Sequence, residues 1–248
     1  MVADTIRYPL AICLSKEGDA RFMGHLDFVR LIERSLRRSG LPVQCTQGFN
    51  PRFRLSFAEA LPVGVASEGE WISLTLDEDL PPDTVRVRLM PALPECVRVV
   101  AVHRGSSPAV TATVRYRLDV IGDTGSAADA LTALLRCDSI LVEDSRRGQP
   151  FDVRPTVVGG VAHDGCLLLE LVAANHRPPR PGPVVAALCA LAQQAGRSVP
   201  VFGACTRLCE RERRQGDMPW DDDAEGARTG PPQDANCSSM PAKARRAG

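Results

Sequence analysis

The order strand, helix, strands, helix, strand occurs twice along the chain, and this repetition constrains the fold more than any single motif. Residues 5–15 (TIRYPLAICLS) read as a strand, in which Pro9 favours an edge or a bulge. A helix is predicted over 25–38, stopped by Gly40 with Pro42 just beyond. Strands are predicted at 42–46, 54–59 and 70–76, the last (EWISLTL) from its strict alternation. Pro81, Pro82 and Asp83 open a second helix, because proline is tolerated in a first helical turn, and 97–102 is a strand. Beyond the linker 103–110 (HRGSSPAV), the order begins again. A strand at 111–120 precedes a helix at 126–136, and strands follow at 139–143, 151–158 and 165–173. A helix at 181–195, stopped by Gly196, and a strand at 199–209 complete the series.

Strands grouped around single helices predict an α+β fold of two tandem ferredoxin-like, βαββαβ-type units, residues 1–104 and 109–212. The shared order implies internal duplication, although no residue-level repeat accompanies it. Residues 213–248 are rich in Gly, Pro, Asp and Ala without hydrophobic periodicity, which predicts a disordered tail. Its DDDAE and KARR runs read as solvated charge.

At 248 residues the chain is long enough for two cores, and 30 basic side chains balance 30 acidic ones. Net charge therefore says nothing about nucleic acid; only local clustering can. No run approaches the ~18 apolar residues of a membrane span, and the first 15 residues lack the basic and apolar regions of a signal peptide. A cytoplasmic protein without membrane contact is expected. The nine cysteines are irregularly spaced and lie mostly in apolar strand-like settings, unlike a disulfide framework. Cys205 and Cys209 form the one close pair. An iron–sulfur site of the CxxxCxxC kind needs a third thiolate at position 212, which is Glu212. No cofactor is expected, and His103, His163 and His176 define no metal spacing.

Local charge is concentrated around the first helix. Between Ser15 and Arg54, Lys16, Arg21, Arg30, Arg34, Arg37, Arg38, Arg52 and Arg54 face only Glu17, Asp19, Asp27 and Glu33, a surplus of four. At 100° per residue, Leu26, Val29, Ile32 and Leu36 fall on one side, predicted to face the sheet. Arg30, Arg34, Arg37 and Arg38 form a separate stripe that Asp27 shares, three residues before Arg30. Guanidinium groups match phosphate oxygens bidentately, so the stripe suits an anion. A solvated helix face explains the same spacing.

The loop Gln47-Gly48-Phe49-Asn50-Pro51 is unusual for a strand connection. Gly48 permits positive φ and Asn50-Pro51 fixes a turn. Phe49 either sits exposed beside Arg52 and Arg54, where aromatics can stack bases, or tucks into the core. His25, at the helix start, is a weak candidate for acid–base chemistry because its ordinary pKa lies near neutrality. In the second unit Arg154 is predicted on a strand, and Arg146, Arg147, Arg177 and Arg180 are candidates to extend a basic cleft.

The same residues carry a family resemblance. Ser15-Lys16, Arg21 through Asp27, Arg30, Glu33-Arg34, Arg37-Arg38, Leu41-Pro42, Gln47 through Pro51, Leu55-Ser56-Phe57 and Leu61 through Glu70 resemble the bacterial radical-SAM-linked protein family, domain of unknown function 2344. Asp152, Arg154-Pro155 and Arg207-Leu208 fit the same pattern, so the resemblance spans about residues 6–210. It departs from the family at Arg52-Phe53, where His-Pro usually follows Asn-Pro. Members are encoded beside, or fused behind, a radical SAM protein, so the resemblance implies a radical SAM partner rather than a reaction.

Three functional expectations follow. The first is a non-enzymatic accessory protein that binds an anionic substrate, RNA such as tRNA or rRNA, for the radical SAM partner. The expected binding residues are Lys16, Arg21, Arg30, Arg34, Arg37, Arg38, Gln47, Gly48, Phe49, Asn50, Arg52, Arg54 and Arg154. The second is a metal-independent endoribonuclease, by analogy with tandem ferredoxin-like nucleases in which a histidine acts as base. The third is a scaffold whose arginines dock an acidic protein.

Overall fold

The computed structural model describes residues 7–58, 60–107, 113–144, 149–174 and 179–208. The predicted tail and Cys209, together with Arg146, Arg147 and residues 175–178, lie outside the described residues.

Strand β1 (Tyr8–Lys16) leads through a short 3-10 turn into helix α1 (His25–Ser39). Strands β2 (Leu55–Phe57) and β3 (Val65–Leu76), helix α2 (Pro82–Leu89) and strand β4 (Val99–Arg104) complete the first half. The second half comprises β5 (Thr113–Ile121), α3 (Thr124–Arg136), β6 (Leu141–Asp144), β7 (Gln149–Asp152), β8 (Val157–His163), β9 (Cys166–Val172), α4 (Pro181–Gln194) and β10 (Val201–Arg207).

Eight of these strands form one mixed sheet in the order β4-β1-β3-β10-β5-β9-β8, with β2 paired to β3; β6 and β7 make a separate hairpin. Every pairing in the large sheet is antiparallel except one. Cys205–Arg207 of β10 run parallel to Val65–Ser67 of β3 and join the two halves. The long β3 serves three partners, pairing with β1 over most of its length, with β10 at Val65–Ser67 and with β2 only at its distal residues Ile72–Leu74.

Strand alternation sorts the side chains. Leu10, Ile12 and Leu14 of β1 and Ile72, Leu74 and Leu76 of β3 point to one face, where Phe28, Ile32 and Leu36 of α1 and Val85 and Leu89 of α2 cover them. On the same face of the second half, Tyr116 and Leu118 of β5 and Leu167, Leu169 and Leu171 of β9 pack under Leu131 and Leu134 of α3 and Val184 and Leu188 of α4. Full burial of each such aliphatic side chain contributes roughly 1.5–3 kcal/mol. The alternate positions join neither cluster. There Trp71 and His103 pack 5.5 Å apart on β3 and β4, flanking β1, whose Ala11 and Cys13 are buried.

Several expectations change. Pro9 sits at the start of a strand that is interior to the sheet; pairing with β4 begins only at Leu10, so its missing N–H costs no ladder bond there. The strand expected at 42–46 is reduced to isolated bridges, Val43 to Leu76 and Cys45 to Phe53. The strand expected at 151–158 is two strands, β7 and β8, separated by a 3-10 turn at Arg154–Thr156 that contains Pro155. On α1 the buried arc is Phe28, Leu31, Ile32, Ser35 and Leu36, rotated away from Leu26, which is 68% exposed.

Candidate nucleic-acid interface

Along α1, Arg30, Arg34 and Arg37 stand about 6 and 4.5 Å apart in axial rise and are exposed. Arg30 Nη1 donates to Asp27 Oδ1 at 3.1 Å, the expected i,i+3 pair. Arg34 is bound to no carboxylate among the described residues. The stripe then splits. Arg38 Nη2 turns toward the end of α2 and donates to the Ala92 carbonyl, while Arg37 lies over the Phe53 ring at 5.3 Å. Two residues adjacent in sequence therefore serve opposite flanks of the helix.

The segment after α1 folds back along it. Arg37, near the helix end, meets Phe53; Phe28 and His25, toward the helix start, meet Phe57 at ring separations of 6.3 and 5.5 Å. The alternate residues Arg52, Arg54 and Ser56 are exposed. The loop between Thr46 and Arg52 is closed at its base, with Thr46 N–H donating to the Arg52 carbonyl at 2.7 Å and Arg52 N–H to Thr46 Oγ1 at 3.0 Å. At its tip Gly48 takes φ of 137°, a conformation closed to other residues at low cost, and Phe49 is 106% exposed. Of the two placements open for Phe49, the structure has the exposed one. Gln47, Gly48, Asn50 and Arg52 share that exposure.

Three expected binding residues are placed differently. Lys16 is 1% exposed: its Nζ donates to the Met23 carbonyl at 2.9 Å and lies 5.5 Å from the Phe28 ring. Burial lowers its pKa, partly opposed by the Glu70 carboxylate. The Arg21 guanidinium covers the exposed ring of Phe22 at 4.6 Å. Arg154 lies in a turn rather than a strand. Its guanidinium donates to the carbonyls of Cys137 (3.1 Å), Val157 (2.7 Å) and Leu135 (3.3 Å), closing the end of α3. His25 is half-buried with its ring edge-on to Phe57, and no acid–base partner contacts it among the described residues.

A second polar group, not anticipated from sequence, crosses the seam between the half-sheets. Lys16, Ser67, Arg207, Tyr116 and Leu169 stand in register across five strands. Arg207 Nη2 donates to Glu70 Oε1 at 2.6 Å and to the Gly69 carbonyl at 3.3 Å, with side-chain exposures of only 12% and 5% for the pair. One signal was present: Lys16 and Glu70 fall in the same alternation phase as the apolar residues that face the helices.

Burial and the Asp119 carboxylate push the Cys205 thiol up to about 12, far from a thiolate ligand at neutral pH. No group of three metal-ligating side chains occurs among the described residues, and no described helix is long and apolar enough to cross a membrane.

A family described as "Uncharacterized protein conserved in bacteria (DUF2344)" matches residues 10–179. No curated protein matches the chain. Among solved structures, an unknown protein from Galdieria sulphuraria aligns with 17% identity and a TM-score of 0.26, covering 82% of this chain and 100% of that one.

Proposed function

The chain belongs to this family of uncharacterized proteins conserved in bacteria, and from that premise we propose that it is an accessory protein that binds RNA through α1 and the 47–51 loop. The observation that supports this most is Phe49, fully exposed at the tip of a closed loop whose base carries the Arg37–Phe53 stack. Arg34, Arg52 and Arg54 are each exposed, with no carboxylate bound to them among the described residues. Guanidinium groups held apart from carboxylates keep their donors for phosphate oxygens.

The recipient in this reading is a radical SAM protein. Support for it comes from the sequence resemblance at Arg21–Asp27, Gln47–Pro51 and Leu61–Glu70. The finer fold reading is two ferredoxin-like units, 1–104 and 109–212, descended from one. The orders β4-β1-β3-β2 and β10-β5-β9-β8 support it, because each runs fourth, first, third, second along its own half with antiparallel neighbours. The β6–β7 hairpin is then an insertion in the second unit.

The test is RNA binding by the full chain as a function of salt. Arg34→Ala combined with Arg54→Ala is expected to weaken binding and to lower the slope of log K against log salt by about 1.4, at ~0.7 per phosphate contact on a single strand. Arg38 is left intact because it is bound to Ala92. Unchanged affinity and slope in the double variant would sink the proposal. Crosslinking from the native cell, read for both RNA and protein, tests the radical SAM partner.

A further inference from the structure

We propose that this surface takes an unpaired nucleotide, whose base stacks on the Phe49 ring while neighbouring guanidinium groups hold the flanking phosphates. The inference rests on the RNA-binding reading of the same surface and names the form of RNA it accepts.

Phe49 has no intramolecular partner: among the described residues its ring enters neither apolar cluster and no aromatic or cationic contact. Nor is it loosely presented. Pro51 restricts both itself and Asn50, and the paired Thr46 and Arg52 close the loop beneath it, so little order remains to be imposed when a ligand arrives. A single ring on a narrow loop has nothing to stack against on a duplex, whose base faces are already covered. The deep major groove of A-form RNA is likewise closed to side chains. An unpaired base offers a free π-face, and every base has one, so the contact is tolerant of sequence.

Charge supports the same occupant. Arg52 lies three residues from Phe49, and Arg37 caps Phe53 at the loop base, leaving cations on the chain immediately around the aromatic tip. That alternation of ring and guanidinium suits a strand whose bases and phosphates are both accessible.

The experiment compares a labelled single-stranded RNA with the same strand annealed to its complement, by fluorescence anisotropy, using wild type, Phe49→Ala and Phe49→Trp. Phe49→Ala is expected to weaken single-strand binding about 5- to 150-fold, the range for loss of one base–aromatic stack, with the salt slope unchanged because no cation is removed. Phe49→Trp should retain affinity, and its fluorescence, measured as the difference from wild type with Trp71 and Trp220, should fall on binding. Full exposure of Phe49 makes both variants neutral for folding, checked by circular dichroism. Equal single-strand affinity in Phe49→Ala, or a wild-type preference for duplex, overturns this inference and leaves the RNA-binding reading standing. Failure of the wild type to bind either RNA overturns both.

Discussion

Arg207 reaches across the parallel seam to Glu70, 137 residues earlier, and closes an ion pair of 2.6 Å beneath the sheet. Backbone pairing between the halves is only three residues long there, from Val65 to Ser67. The side-chain pair therefore reinforces a junction that rests on a short ladder.

Removing Arg207 is expected to leave the Glu70 carboxylate buried without its hydrogen-bonded partner, facing the Lys16 charge alone of its two cations. Arg207→Met should destabilise the chain by about 3–5 kcal/mol, measured as a shift in the denaturant midpoint. Adding Glu70→Leu together with Lys16→Met should recover much of that loss, because no member of the charge cluster is then left stranded. A triple variant as unstable as the single one would mean that the seam depends on Arg207 for something other than Glu70.

Lys16 gives a pH signature. Burial holds its pKa below the ordinary lysine value of about 10.4, with Glu70 opposing in part. Between its folded and unfolded pKa values the unfolded lysine binds more protons, so the Lys16 contribution to stability should rise with pH across that alkaline window and flatten above about 10.4. Below the folded pKa the full cost of burying the charge is present. Lys16→Met removes this rise but leaves the Cys205 thiol, whose folded pKa of about 12 makes stability fall as pH climbs past the free-thiol value of about 8.5. The variant should therefore lose stability more steeply than wild type through the same window. Parallel curves for the two proteins would show that another group sets the alkaline behaviour.

What could be read from the sequence divides along physical lines. Period-2 segments such as 70–76 and the helix ended by Gly40 are visible because local pattern alone decides them. Strand β8 was hidden because Gly159 and Gly160 resemble a turn. A Cβ at Gly160 would lie 2.8 Å from the Leu168 carbonyl, so the strand needs the missing side chain in order to lie against β9 and α3. Leu26 misled the helix phase because one exposed leucine carries the same hydropathy as a buried one. The Arg stripe was legible as composition, but its division between Phe53 and Ala92 depends on elements more than ten residues away. Glu70 and Arg207 were individually visible, and only the β3–β10 pairing brings them together.

Asp152 should contribute stability that acid removes. Burial pushes its carboxyl up, but hydrogen bonds from the Ile140 and Arg154 backbone N–H groups, the Ser139 side chain and the Arg154 charge together hold it below the usual aspartate value. A depressed folded pKa means this stability is complete above about pH 3.9 and is lost as pH falls through the lower folded value. Asp152→Asn keeps an acceptor oxygen without the charge, so denaturation midpoints of variant and wild type should converge as pH drops through that range. A constant gap down to the lowest pH would assign the effect to hydrogen-bond geometry alone.

The Arg37–Phe53 stack should set how firmly the binding loop is held. A guanidinium on a ring at the protein surface is worth about 0.5–1 kcal/mol, and here it covers the half-buried Phe53 next to the backbone bonds that close the loop, Thr46 N–H to Arg52 and Arg54 N–H to Gln44. Arg37→Ala is expected to speed hydrogen exchange at the Thr46 and Arg54 amides about 2- to 5-fold, with no change at β1 or β3. Arg37→Lys keeps the charge but not the planar group, so it should restore the exchange rates only in part. Exchange at wild-type rates in Arg37→Ala would mean that Phe53, packed against the first core, secures the loop without the arginine. Arg37 would then be as available to a phosphate as Arg34.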